Sequence, residues 1–301
     1  MSRAEAEVES VSVVPLRSVS PLWSLGLFRS ELTIVFRRLR TVALLAVLAA
    51  VPVLVGIAVR IETRGGGSAG GGPGGDGGGP AFMSQISNNG LFLTFAALAV
   101  TLPVFLPLAV GVIAGDSVAG EASSGTLRYL LVAPAGRTRL LLAKFTAVAV
   151  FCAVATLVVA ASALAVGAAL FPLGDVTLLS GTTISLSDGL VRALLIAGLV
   201  ALSLMSVAAI GLFVSTLTNS GIGAMAATVG LVITVQIVDT IPQLHAIQPY
   251  LFPHHWLSFA DILRAPVYWD DITKNLGLQA LYVAVFGSAA WARFTSRDIS
   301  A

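Results

Sequence analysis

Few residues in this chain are of a type that could assemble a reactive centre. There are three histidines, His245, His254 and His255, one cysteine, Cys152, and two lysines, Lys144 and Lys274. Side chains at neighbouring positions such as His254 and His255 point about 100° apart on a helix, and no cysteine or spaced carboxylate cluster completes a tetrahedral set with His245. No metal centre is therefore expected. A lone cysteine inside an apolar run gives neither a disulfide framework nor a thiolate site, and reads as a small packing residue. Nucleotide hydrolysis at a P-loop needs Gly-Lys followed by Ser or Thr. Lys144 follows Ala143 and Lys274 follows Thr273, so no Walker motif exists. The glycine run at residues 65–80 has no strand before it and no helix after it to make a phosphate cradle. No nucleophile–base–acid arrangement stands out, which disfavours an intramembrane enzyme.

What remains is a candidate for mechanical rather than chemical work. Residues 115–139 read Gly115-Asp-Ser-Val-Ala-Gly-Glu121-Ala-Ser-Ser-Gly125-Thr126-Leu127-Arg-Tyr-Leu130-Leu131-Val-Ala-Pro134-Ala-Gly136-Arg137-Thr-Arg139. Leu127, Leu130 and Leu131 form an apolar stripe on a short helix that Pro134 and Gly136 should end. Such a helix is a suitable lever; an ordinary connecting loop is the plainer reading. The charge of Glu121 is expected to be exposed and orienting only, because exposed ion pairs contribute about 0–1 kcal/mol. A second cytoplasmic feature lies at residues 21–40. Leu22, Leu25, Phe28, Leu32, Val35, Phe36 and Leu39 recur at steps of three or four, with Arg29, Arg37, Arg38 and Arg40 among them. That pattern predicts an amphipathic helix lying in the membrane interface.

The elements that must position these segments are transmembrane. The chain is 56% hydrophobic and 11% charged, where soluble domains carry about 25% charge, so lipid is the expected solvent. A spanning helix needs about 20 apolar residues. Charge-free runs predict spans at residues 41–59, 91–115 and 145–174. The run 193–238 is too long for one helix and should fold back at the polar cluster 215–221, giving spans at 193–214 and 222–238. A sixth span is expected at 276–291. Arginine and lysine concentrate before span one, between spans two and three, and after span six, which predicts cytoplasmic termini. Residues 1–20 and the glycine run 65–80 are expected to be disordered, the latter as an external spacer. A cleavable signal peptide is not expected. Residues 239–275 mix proline with aromatics and predict short helices re-entering the outer leaflet. The stripe Gly111-Val-Ile-Ala-Gly115 is a candidate for close helix association, either in a dimer or between spans of one chain.

Inside these spans the polar groups are neutral, such as Thr101, Thr156, Ser203 and Gln279. That disfavours an ion-coupled carrier, which usually places ionisable groups at mid-membrane. The net charge of +2 implies no nucleic-acid partner. Energy for uphill transport would have to come from a partner at the cytoplasmic face.

Glu121 followed by Gly125-Thr126-Leu127, then Leu130-Leu131, Pro134 and Arg137, resembles the cytoplasmic segment of ABC-2 type permeases, the membrane subunits of type V ATP-binding-cassette exporters. The arginine-rich helix before span one is similar, as are Ser215-Thr-Leu-Thr-Asn-Ser before span five, the long segment between spans five and six, and the ending Arg293-Phe-Thr-Ser-Arg297. The resemblance implies an all-α, six-span permease in the plasma membrane with no cofactor of its own. It also implies a second permease copy and a separate ATPase subunit that holds ATP and Mg. Glu121, Gly125, Thr126, Leu127, Leu130 and Arg137 become coupling residues by that resemblance. The expected cargo is a lipid, glycoconjugate, drug or amphipathic natural product. An ATPase-independent carrier or a membrane scaffold is the alternative.

Overall fold

The computed structural model describes residues 21–64, 89–125, 136–178 and 180–296. Residues 1–20, 65–88 and 126–135, with the expectations that fall on them, lie outside the described residues. The described chain is helical: α1 (Pro21–Arg37), α2 (Leu39–Arg64), α3 (Phe92–Thr101), α4 (Phe105–Ser123), α5 (Arg137–Leu170), α6 (Leu186–Ser203), α7 (Met205–Leu217), α8 (Gly221–Asp239) and α9 (Asp270–Ser296). A small antiparallel hairpin, β1 (Val176–Thr177) and β2 (Thr183–Ile184), joins α5 to α6. Three 3-10 helices, Pro242–Leu244, Gln248–Tyr250 and Trp256–Leu263, lie between α8 and α9.

Among the described residues, five helical stretches are long and apolar enough to cross a membrane: Leu39–Glu62, Phe105–Ser123, Arg137–Leu170, Leu186–Leu217 and Gly221–Asp239. The chain is a multi-pass membrane protein. α9 has the length, 27 residues or about 40 Å, but Asn275, Gln279 and Tyr282 dilute its apolar character.

The helices depart from the predicted spans at two instructive places. The expected second span is broken into α3 and α4 around Pro103, whose missing N–H and bulky ring disfavour continuation of the helix. α4 then runs on to Ser123, and α5 starts at Arg137 rather than near Phe145, so both helices extend beyond the charge-free runs. Fold-back of the long apolar run occurs close to where it is expected. α7 ends at Leu217, and the hydroxyl of Ser220 caps α8 by accepting from the Gly223 amide at 3.1 Å.

α4 sits between α7 and α8, while α5 gathers α1, α2, α3 and α6 around it. Two close approaches depend on glycine. A Cβ on Gly115 would stand 2.9 Å from the Met225 Cα, and one on Gly111 would touch the Thr228 methyl. The Gly111–Gly115 stripe packs against α8 of the same chain, the within-chain reading of that motif. At the other end of the bundle, a Cβ on Gly90 would lie 2.6 Å from the Gly167 carbonyl carbon. Leu91, Leu98, Leu106, Val110, Phe151 and Val200 belong to the core between these helices. Phe252, Trp256 and Phe259 from the 3-10 region are buried in the same core.

Candidate functional site

Six charged side chains converge where α1 turns into α2, against the ends of α4 and α5. α1 packs along α5, with the Phe36 and Phe151 ring centroids 6.2 Å apart. That contact directs Glu31, the one acid in residues 21–40, inward, and Glu31 is buried. Lys144 lies two turns into α5 and is only 2% exposed. Its ammonium donates to Glu31 at 3.1 and 3.2 Å and to Glu121 Oε1 at 2.5 Å. Glu121, in the last turn of α4, is buried as well. The sequence reading put Glu121 on an exposed protrusion; it is instead inside the bundle, because α4 continues past the last apolar run.

One turn further into α4, Asp116 accepts from both Arg38 and Arg40 on a single carboxylate oxygen, Oδ2. Glycines make room for it. A Cβ on Gly221 would stand 2.6 Å from Asp116 Oδ1, and Gly120 lines the carboxylate from α4 itself. Arg38 and Arg40 do not belong to the interfacial helix as expected. Arg38 occupies the joint between α1 and α2, where its carbonyl accepts from the Thr41 and Val42 amides, and Arg40 is in the first turn of α2. Capture by Asp116 sets the turn from the one helix into the other. Arg29 and Arg37 remain on the exposed side of α1.

Three cations and three carboxylates therefore balance. Charges removed from water need such pairing, since each isolated ion would carry a desolvation cost of several kcal/mol. Burial pushes the Glu31 carboxyl above the usual carboxylate range, with the Lys144 charge opposing and the Glu121 charge adding to the shift. A small cavity beside the cluster touches Glu31, Thr41, Ser117, Glu121 and Lys144, and the Thr41 hydroxyl has no hydrogen-bond partner among the described residues. The cluster ties α1, α2, α4 and α5 to one another.

Neighbouring contacts tie further helices to this region. Ser215 of α7 accepts from the Val118 and Ala119 amides at 3.0 and 2.8 Å, joining α7 to α4 between Asp116 and Glu121. Gly125 adopts φ +72° just past α4, and its amide donates to the Ala122 carbonyl, so it turns the chain out of the helix. Arg137, at the start of α5, donates to the Thr295 carbonyl at 2.6 Å, and Trp291 donates to Thr138 at 3.0 Å. Those bonds fasten α5 to the end of α9. Thr126, Leu127 and Leu130 lie outside the described residues.

Of the coupling residues read from the sequence, the structure places Glu121 in the buried cluster, Gly125 just past the end of α4 and Arg137 at the α5–α9 junction. It adds Glu31, Asp116 and Lys144. The signals for these were present. Glu31 interrupts a basic amphipathic stretch, and Lys144 lies seven residues from Arg137, hence on the same helical face.

A family model described as "Protein of unknown function (DUF2705)" matches residues 76–300. The chain is also 35% identical over 103 residues to the probable ABC transporter permease protein NosY of Pseudomonas aeruginosa. That alignment covers 34% of this chain and 38% of the length of the relative.

Proposed function

Because the chain belongs to the DUF2705 family, whose description assigns no activity, we propose its function from the buried charge cluster: it is the membrane-spanning permease of an ATP-binding-cassette exporter of the ABC-2 type. The observation that carries this reading is the 2.5 Å bond from Lys144 to Glu121. Glu121 opens the pattern that continues with Gly125-Thr126-Leu127, and Lys144 also holds Glu31 of α1. One ammonium so joins the helix before the first span to the two helices that flank residues 124–136. The partial likeness to a probable ABC transporter permease supports the same reading.

In this proposal α9 is the sixth span, α1 lies in the cytoplasmic interface, and both termini are cytoplasmic at the plasma membrane. The 3-10 helices re-enter the outer leaflet. Two permease copies pair, and a separate ATPase subunit binds ATP and Mg. Its closure displaces residues 125–137, including Gly125, Thr126, Leu127, Leu130 and Arg137. The displacement reaches α4 through Glu121, and Lys144 and Glu31 oblige α5 and α1 to move with it. Asp116 passes the motion to α2 through Arg38 and Arg40. The cargo class is a lipid, glycoconjugate, drug or amphipathic natural product.

The test is to purify the full chain from its native membrane and identify co-purifying subunits, then reconstitute the complex and measure vanadate-sensitive export. Recovery of a Walker-motif ATPase with ATP-dependent transport supports the assignment. Transport by the chain alone, insensitive to vanadate, would establish an ATPase-independent carrier instead.

A further inference from the structure

At the opposite end of the bundle from the charge cluster, an open groove runs between α6, the 3-10 helix Trp256–Leu263 and α9. Leu194, Leu195, Leu202, Trp269 and Leu276 line it, with Asp188 and Arg192 also on its wall. Leu194, Leu195 and Trp269 are more than half exposed. From Asp188 to Leu202 the α6 helix rises about 21 Å, more than one leaflet of a hydrocarbon core about 30 Å thick. The groove is thus charged at its outer end and apolar through the depth of a leaflet. Trp269 supplies an aromatic of the kind favoured at a membrane–water interface.

Its two charges are not used on each other. Asp188 and Arg192 stand four residues apart on α6, a spacing at which opposite charges commonly pair. Here Arg192 Nη1 donates instead to the carbonyls of Ile262 and Arg264, which among the described residues leaves its Nε and Nη2 donors. Asp188 Oδ2 accepts from the Ser185 hydroxyl, which leaves Oδ1. Arg264 is neutralised by Asp261 at 3.0 Å. The mouth therefore offers one guanidinium edge, suited to a phosphate, and one carboxylate oxygen, suited to an ammonium.

We propose that this groove binds one phospholipid from the leaflet at the hairpin end of the bundle, an acyl chain lying along Leu194, Leu195 and Leu202 and a phosphoethanolamine headgroup held between Arg192 and Asp188. The charge pattern selects the occupant: a purely anionic headgroup meets Asp188 unfavourably, and a choline headgroup cannot donate a hydrogen bond to it. This site requires α6 in the bilayer but not an ATPase, so it stands apart from the coupling proposal.

The experiment reconstitutes the full chain in phosphatidylcholine vesicles with increasing mole fractions of acyl-brominated phosphatidylethanolamine. The quenching assigned to Trp269 is the difference between the wild type and Trp269→Phe. It should saturate at low mole fraction and be reversed by unlabelled phosphatidylethanolamine. Gly198 lines the groove, and an added Cβ there meets nothing within 4 Å, so Gly198→Leu extends a side chain into the groove and should abolish the saturable phase. Asp188→Asn, which keeps an acceptor oxygen but removes its charge, should weaken binding about tenfold and leave the acyl contact in place. Quenching that rises in proportion to mole fraction for every headgroup would show only annular lipid and overturn the proposal. Saturation by brominated phosphatidylglycerol but not phosphatidylethanolamine would overturn the headgroup assignment.

Discussion

Lys144 Nζ lies 2.5 Å from Glu121 Oε1, across the interface between the end of α4 and the second turn of α5. Because the same ammonium also holds Glu31, removing it would strand two buried carboxylates about one side chain apart. Breaking a buried pair by deleting one partner costs about 3–5 kcal/mol. Lys144→Met should therefore lower the thermal stability of the detergent-solubilised protein strongly. Glu31→Gln, which removes one of the two competing carboxylates and keeps a hydrogen-bonding group, should cost much less. Equal losses in the two variants, followed by size-exclusion thermal challenge, would show that Lys144 is not the keystone of the cluster.

The Glu31 carboxyl, raised by burial, gives a pH dependence with a definite sign. Between its ordinary value of 4.5 and the higher folded-state value, the native protein binds more protons than the unfolded chain. Its contribution to stability is then fully present below the ordinary value and falls as pH rises through the folded-state value. Stability curves of the wild type and Glu31→Gln should diverge over that window, with the wild type showing the steeper decline toward neutral pH. Parallel curves would show that Glu31 does not titrate differently on folding.

Gly221 leaves the space into which the Asp116 carboxylate fits. A Cβ there would approach Asp116 Oδ1 to 2.6 Å and the Gly120 Cα to 3.1 Å. Gly221→Ala should displace Asp116 from Arg38 and Arg40 while leaving the apolar face of α8 in place. The expected readout is faster proteolysis or hydrogen exchange at residues 36–42, with little change in α8. Unchanged protection at the α1–α2 joint would mean that Asp116 does not set that turn.

Gly90 and Gly167 meet backbone to backbone, so neither can shift a flexible side chain to admit a methyl group. Gly167→Ala would place its Cβ 2.8 Å from the Gly90 carbonyl carbon. Overpacking typically costs about 1–3 kcal/mol and more where backbone must move. Yield of monodisperse Gly167→Ala protein should fall sharply, whereas Gly230→Ala, where an added Cβ meets nothing within 4 Å, should behave as wild type. Equal yields would contradict the packing.

Much of this organisation was legible in the sequence because a bilayer makes apolar run length a direct measure of helix placement. Thr41 and Ile222 each open a run that falls within one helix, and the run from Ala193 falls within the stretch Leu186–Leu217 that α6 and α7 form together. Pro103 marked a break that run length alone passed over. The charged cluster was less legible for a physical reason. Assigning spans by absence of charge places every charge in a loop, so Lys144, Asp116 and Glu121 were read as flanking residues. Their helices extend past the apolar runs, and only the three-dimensional pairing with Glu31, Arg38 and Arg40 shows how six ions can be accommodated there. Glu121 was singled out by resemblance, but its burial was not foreseen.

The most direct measurement is of ATP hydrolysis and transport, with the proposed ATPase subunit, in a variant that removes Glu31, Lys144 and Glu121 together and leaves Asp116 with the partly exposed Arg38 and Arg40. Replacing a buried ion network by apolar groups of similar volume is often neutral or stabilising. The triple variant Glu31→Met, Glu121→Met and Lys144→Met should therefore fold and still recover its ATPase subunit. It should hydrolyse ATP without moving cargo, because the polar link from α4 to α1 and α5 is gone. Transport coupled to ATP turnover at the wild-type ratio in that variant would contradict the role of the Glu31–Lys144–Glu121 cluster in coupling.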